Sequence, residues 1–405
     1  MTQTTSHPDR FTRVLTALYL LLLAYGTLFP LSGWEVPDRD MVQILSHSLD
    51  GYASRADMLF NFLIYLPLGF LLMRLMGARH GAAMALTLVT ALGVATSASL
   101  EFLQFFLPHR TPSLLDLFIN SGATATGAVA GRLLQPGSAT GLRLHSLRAD
   151  HFRPGTVADL GLLALGFWAL SQLSPLVPSP DIGNLKTGLK PLYFTLLDPG
   201  RFDLLHGLVY AFSIAGLTTV AHRVARLERP AIQWFAAFVG CVLLFKVPVI
   251  SRQLSLEALA GAAIGLAIGA KLVRLRTGAA LGWGATALLV ANAIACLRPA
   301  PGTGADRINW IPFGGQMESL SGLEDVLGAM WPFLALAYIA TRLRLGPPVM
   351  VALAGAVAVF GFALGLEWLQ GFVPGRHPDV TDPLLAALAW SMPWLHPKLR
   401  REAVP

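Results

Sequence analysis

Apolar stretches of about 20 residues, the length that crosses a bilayer as a helix, recur along the whole chain, from Val14–Leu31 to Pro383–Leu395. Short polar, proline-rich breaks separate them. This pattern predicts twelve helical spans beginning near Val14, Asp57, Gly81, Asp116, Val157, Asp203, Ala231, Leu256, Ala279, Asp325, Val349 and Pro383. The last is short and interrupted by Pro393. The first follows Arg10 and Arg13 like the charged start of a signal peptide, but no small-residue cleavage site follows and Leu28-Phe29-Pro30 ends it, so it reads as a retained helix. The expected fold is all-α: a polytopic bundle of transmembrane helices.

Composition agrees with that reading. Of 405 residues, 54% are hydrophobic and 13% charged, against roughly 25% charged residues in soluble domains. Such a chain cannot hide its apolar surface from water. The two cysteines, Cys241 and Cys296, both sit in apolar runs, which argues against a disulfide framework or a thiolate metal site. No metal-ligand spacing, nucleophile elbow, P-loop or dinucleotide fingerprint occurs, so no cofactor or metal is expected.

Orientation follows from retention of positive residues in cytoplasmic segments. With the N-terminus inside, 19 of the 30 Lys and Arg residues face the cytoplasm and 18 of the 23 acids face out. Both termini are then expected in the cytoplasm. The net charge of +7 reflects topology against an anionic inner leaflet, and nucleic acid need not be invoked.

The chain also repeats itself. Three proposed four-span units begin their second span with an acid: Asp57-Met-Leu-Phe-Asn61, Asp203-Leu-Leu-His-Gly207 and Asp325-Val-Leu-Gly-Ala329. Each first span exits through a proline, at Pro30, Pro175 and Pro299. Between the third and fourth spans, Glu101, Gln104, Pro108, Arg110, Pro112 and Asp116 match Glu367, Gln370, Pro374, Arg376, Pro378 and Asp382 at identical spacing. Internal duplication is the economical explanation. The middle copy keeps Pro248, Arg252 and Glu257 but has Leu243 and Lys246 where Glu and Gln stand, and is expected to have lost the role of that pair. The predicted organisation is a first unit at 12–135, a basic cytoplasmic linker at 136–155, a degenerate middle unit at 156–275 and a third unit at 276–398.

The run from Asp57-Met-Leu-Phe-Asn-Phe-Leu-Ile-Tyr-Leu-Pro-Leu-Gly-Phe70, through Glu101-x-x-Gln104 and Arg110 to Asp116-Leu-Phe-Ile-Asn120, resembles the VanZ-like family. Asn309-Trp-Ile-Pro-Phe313 resembles the segment that precedes the second span in that family. The resemblance implies a bacterial cytoplasmic-membrane protein in a cell-envelope or exopolysaccharide setting. The founding member is associated with tolerance of the glycopeptide teicoplanin. No reaction is established for the family, so the resemblance implies a place more than a chemistry.

The candidate ligand-binding residues are Asp57, Asn61, Glu101, Gln104, Arg110, Asp116 and Asn120 in the first unit, and Glu367, Gln370, Arg376 and Asp382 in the third. Glu101 and Gln104 share a helix face, and the carboxylate sits near a helix C-terminus, where the exposed carbonyls repel it. One reading pairs Glu101 with Arg110 as an ion pair that holds a re-entrant turn. Another makes them line an outward-facing polar cleft, with the arginine on an anionic headgroup and Gln104 on glycan or amide groups. Asp116 and Asp382 are also placed to cap helices, and Asn61 and Asn120 to hydrogen-bond between helices. Three functions stay open: binding an envelope lipid, lipid-linked glycan or amphiphilic drug; an enzyme using Glu101 or Glu367 as general acid or base on a polyprenyl-linked substrate; and a transporter. Expected partners are membrane lipids and a lipid-linked glycan or glycopeptide.

Overall fold

The computed structural model describes residues 10–38, 40, 55–76, 81–135, 137–305, 307–316 and 322–395. The basic positions Arg79, Lys398, Arg400 and Arg401, and with them the expected end of the third unit at 398, lie outside the described residues. Fourteen α-helices and no strands occur among the described residues. The chain divides into two compact units, Met1–Arg148 and Ala149–Pro405.

The first unit contains α1 (Arg10–Leu28), α2 (Arg55–Met76), α3 (Ala82–Gln104) and α4 (Leu114–Leu133), followed by α5 (Ala139–His151), which runs into the second unit. Its main packing is α2 against α4. Glycine makes the close approach: a Cβ on Gly69 would stand 1.9 Å from the Thr124 carbonyl oxygen, and one on Gly127 2.0 Å from that of Leu66. The small-residue series from Gly122 to Gly131 therefore acts as a packing surface, as in other membrane helix pairs. Tyr19 Oη ties α1 to α2 through the Ile64 carbonyl at 2.6 Å. Tyr65, Leu68, Met73, Val89 and Leu107 fill the core between the helices.

The second unit contains α6 (Thr156–Leu173), α7 (Ile182–Leu197), α8 (Leu204–Val224), α9 (Glu228–Phe245), α10 (Leu256–Leu272), α11 (Thr277–Leu297), α12 (Gly322–Leu343), α13 (Pro348–Gln370) and α14 (Thr381–Leu395). Here too the second helix of each expected repeat packs on the fourth, α8 on α10 and α12 on α14. The expected repeats also exchange their first helices, α6 packing on α12 and α11 on α8. A Cβ on Gly161 of α6 would lie 3.1 Å from the Tyr338 ring, and one on Gly284 of α11 2.3 Å from Thr219 Oγ1. Because of this exchange α8 and α12 are 67% buried over their apolar windows, against 28% for α2. The helices of the expected middle and third units thus share one core.

A helix lies at or beside each of the twelve expected starts. Seven of them, α2, α3, α6, α8, α11, α12 and α13, are long and apolar enough to cross a membrane, while α1 and α9 contain shorter apolar segments. The fourth helices fall short for physical reasons. α4 carries Asn120, Ser121, Thr124 and Thr126 among its glycines, and α10 and α14 have only 17 and 15 residues. Two helices, α5 and α7, were not anticipated. α7 is capped by Asp181, whose carboxylate accepts from Asn184 N at 3.2 Å, and lies against residues 247–254 through the Leu254 N to Gly188 O bond at 2.8 Å.

Candidate functional site

A like bond forms in each of the three expected repeats. A helix C-terminus leaves its last carbonyls without partners, and in each case a proline two residues beyond the helix stops the chain from continuing it. In the first repeat Arg110, from the loop between the third and fourth helices, donates to the Phe29 carbonyl from Nε at 3.2 Å and Nη2 at 3.1 Å, with Gly26 O at 3.5 Å. In the third, Arg376 Nε donates to Arg298 O at 2.8 Å and Nη2 to Ala295 O. In the middle copy Arg252 Nε donates to Ser174 O. Phe29, Ser174 and Arg298 are the residues immediately before the three prolines.

The glutamates close the other side of the same loops. Glu101 Oε2 accepts from Ser113 N at 2.8 Å, and Glu367 Oε2 from Asp379 N at 2.7 Å, each reaching twelve residues ahead to the start of the fourth helix. These contacts overturn the expected Glu101–Arg110 ion pair: no salt bridge joins the two among the described residues, because the guanidinium is turned to the first helix and the carboxylate to the fourth. The capping expectation is corrected as well. Ser113 is the N-cap of α4 and accepts from Asp116 N at 3.2 Å, so Asp116 lies inside the first turn. Asp382 likewise lies inside the first turn of α14, which starts at Thr381. Asp379 Oδ1 accepts from Thr381 N at 2.6 Å.

In the first unit the remaining candidates gather around this end. Gln104 Nε2 donates to Thr27 O at 3.0 Å. Asn61 hydrogen-bonds the Asp116 side chain, with Asp57 within electrostatic reach. Asn120 is buried further along α4, where Nδ2 donates to Ser97 Oγ at 3.0 Å, and its role is interhelical.

In the second unit the corresponding helix ends enclose a polar cavity of about 720 Å³. The third repeat contributes Glu367, Gln370, Arg376 and Asp382, all singled out in the sequence, together with Asp325 and Asp379. Gln370 Nε2 donates to Glu367 Oε1 at 3.2 Å. Asp379 Oδ2 accepts from Asn309 Nδ2 at 3.2 Å, and Phe313 N donates to Thr381 Oγ1 at 2.7 Å, so the Asn309–Phe313 segment is docked on the start of α14. Gly375, at φ +73°, makes the loop possible: a Cβ there would stand 1.9 Å from the Ala300 carbonyl oxygen. Burial lowers the pKa of Arg376 from its ordinary value, with Arg298 adding to the effect and Glu367 and Asp382 opposing it. The guanidinium stays charged, so its carbonyl partners and the nearby carboxylates compensate for lost hydration.

The middle repeat contributes Gln172, His206, Tyr210, Lys246 and Arg252 to the same cavity. The sequence marks this copy as degenerate: Arg252 and Lys246 stand out in it, but none of the five reads there as a site residue. Two ion pairs fasten it to the third repeat: Arg252 holds Glu324 through both guanidinium nitrogens, at 2.7 Å for Nη1 to Oε1 with a second bond from Nη2 to Oε2, and Arg298 Nη1 lies 3.4 Å from Asp203 Oδ2. The signal available beforehand was Lys246 itself, a charge in an otherwise apolar helix end. Among the described residues no group of three or more His, Cys, Asp or Glu side chains is arranged to hold a metal.

A family model described as VanZ/LLP1 matches residues 16–135, the stretch that carries the four helices of the first unit. No curated protein and no solved structure matches the chain. With apolar helices long enough to cross a bilayer in both units, the chain is an integral membrane protein whose residues 16–135 are similar to the VanZ/LLP1 family.

Proposed function

We propose that the protein binds the polar headgroup of an envelope amphiphile, a lipid or lipid-linked glycan, in the cavity of its second unit, at the extracytoplasmic face of a bacterial inner membrane. The observation that carries this reading is the cavity of about 720 Å³, lined by carboxylates, guanidinia, an ammonium and amides at helix ends. Its volume lies within the roughly 300–1,000 Å³ typical of small-molecule sites, and ionisable side chains in a membrane protein are expensive enough to mark function by default.

The proposed frame is three repeats of four spans, twelve in all, with both termini cytoplasmic. The recurring arginine bonds at Phe29, Ser174 and Arg298 support the repeat, and the excess of Lys and Arg in the inner segments supports the orientation. Placement of the charges at helix ends favours binding over transport, whose sites lie near the midplane. Glycopeptide tolerance is the phenotype to examine.

The test compares Glu367→Gln and Asp382→Asn with the wild type, measuring lipid retained by the purified protein in native mass spectrometry alongside glycopeptide susceptibility. Reduced lipid retention with unchanged melting is the expected result. Unchanged retention with lowered melting would assign Glu367 to holding the Asp379 amide alone and would overturn the proposal.

A further inference from the structure

We infer that Lys246 is the anion-recognising group of this cavity, and that the headgroup it selects carries a phosphate. This rests on the reading of the cavity as an amphiphile site and deepens it. Lys246 stands in the middle repeat at the register of Gln104 and Gln370, and Leu243 at the register of Glu101 and Glu367. The two changes together remove a carboxylate and add an ammonium. Leu243 is 2% exposed and packs into the hydrophobic core, so the lost glutamate left an apolar contact rather than a gap.

Lys246 is only 7% exposed, yet it lines the cavity. Its ammonium has three donors. One goes to Tyr210 Oη at 2.7 Å and one to Gln172 Oε1 at 3.3 Å, while Tyr210 Oη in turn donates to Gln172 Oε1 at 2.7 Å. These two side chains fix the ammonium and leave one donor for an occupant. Among the described residues no carboxylate comes within salt-bridge distance of it, whereas Arg252 and Arg298 are matched by Glu324 and Asp203. A buried cation without a counter-charge is costly, and a phosphate in the cavity would supply one. On this reading the middle copy, which lacks the carboxylate contact of the other two, carries a role of its own. It has exchanged an amide-and-carboxylate pair for a cation, which adds positive charge opposite a third-repeat lining where Glu367, Asp379 and Asp382 stand with Arg376.

The experiment measures binding of farnesyl phosphate, farnesol and inorganic phosphate to the full chain in a neutral detergent, for the wild type, Lys246→Gln and Lys246→Arg. Glutamine is the residue of the other two copies and can still hydrogen-bond Tyr210, while arginine keeps the charge. The wild type is expected to prefer farnesyl phosphate to farnesol, with that preference reduced about tenfold or more in Lys246→Gln, as loss of a charge-assisted hydrogen bond implies, and kept in Lys246→Arg. Farnesyl phosphate binding that survives Lys246→Gln unchanged would overturn the role of Lys246 and leave the amphiphile site standing. Inorganic phosphate bound as tightly as farnesyl phosphate would retain the anion site but overturn the headgroup reading. No binding of either prenyl compound to the wild type would overturn both.

Discussion

Arg376 Nε donates to the Arg298 carbonyl at 2.8 Å, across 78 residues of chain, and in doing so ties the loop before α14 to the last turn of α11. Arg110 makes the same bond to Phe29 and Arg252 to Ser174. Because one planar fork satisfies carbonyls a helical turn apart, lysine cannot substitute. Arg376→Ala and Arg376→Lys are both expected to destabilise the protein, by about 2 kcal/mol given the loss of charge-assisted bonds to half-buried helix-end carbonyls. Thermal unfolding in detergent measures this, and full rescue by lysine would show that charge alone matters.

Two glycines of α4 should respond in opposite directions. A methyl group on Gly127 runs into the Leu66 backbone at 2.0 Å, whereas one on Gly122 meets nothing within 4 Å. Gly127→Ala is expected to cost about 1–3 kcal/mol through overpacking. Gly122→Ala should be neutral or stabilising by up to about 1 kcal/mol, since alanine loses less backbone entropy in a helix. Equal melting shifts for the two would contradict the close crossing of α2 and α4.

Much of this was legible in the sequence, and the reasons for the rest are specific. Period and length marked the helices because a membrane span must satisfy its own backbone, and the identical spacing of Glu101 to Asp116 and Glu367 to Asp382 pointed to the loops that the two arginines hold. The direction of Arg110 was not legible. Nine residues from Glu101, it seemed placed to pair with that carboxylate, but the orphan carbonyls before Pro30 lie about 80 residues away in sequence and compete for it. The cavity was hidden for a similar reason: it forms only where the first helices of two repeats exchange, bringing Lys246 to the same space as Glu367, and no local pattern encodes that contact. The serine caps were available in the sequence but were passed over in favour of the neighbouring aspartates.

The caps themselves can be checked. Ser113 accepts from Asp116 N, and Ser255 in the middle repeat accepts from Ala258 N, both at 3.2 Å. Ser113→Ala and Ser255→Ala should each cost about 1 kcal/mol in thermal unfolding, and Ser113→Gly a few tenths. Unchanged melting in Ser113→Ala would contradict the serine cap of α4.

The Arg252–Glu324 pair joins the two repeats that share the cavity, with side chains 14% and 37% exposed. Partial exposure moderates its strength, so a double-mutant cycle on Arg252→Ala and Glu324→Ala should give a coupling of about 1–2 kcal/mol, above the exposed-pair range yet short of a fully buried one. A coupling near zero would mean that the exchanged helices hold the repeats together without it.

Whether the arginine-bearing loops of all three repeats face the outside is decided by single cysteines at His109, Gln253 and His377, each exposed and within one residue of its arginine, in a protein with Cys241 and Cys296 replaced. Intact cells are treated with a membrane-impermeant maleimide. Labelling at all three positions before permeabilisation is the expected result. Labelling only from the cytosol, or from different sides for different repeats, would contradict the common orientation and with it an envelope-facing cavity.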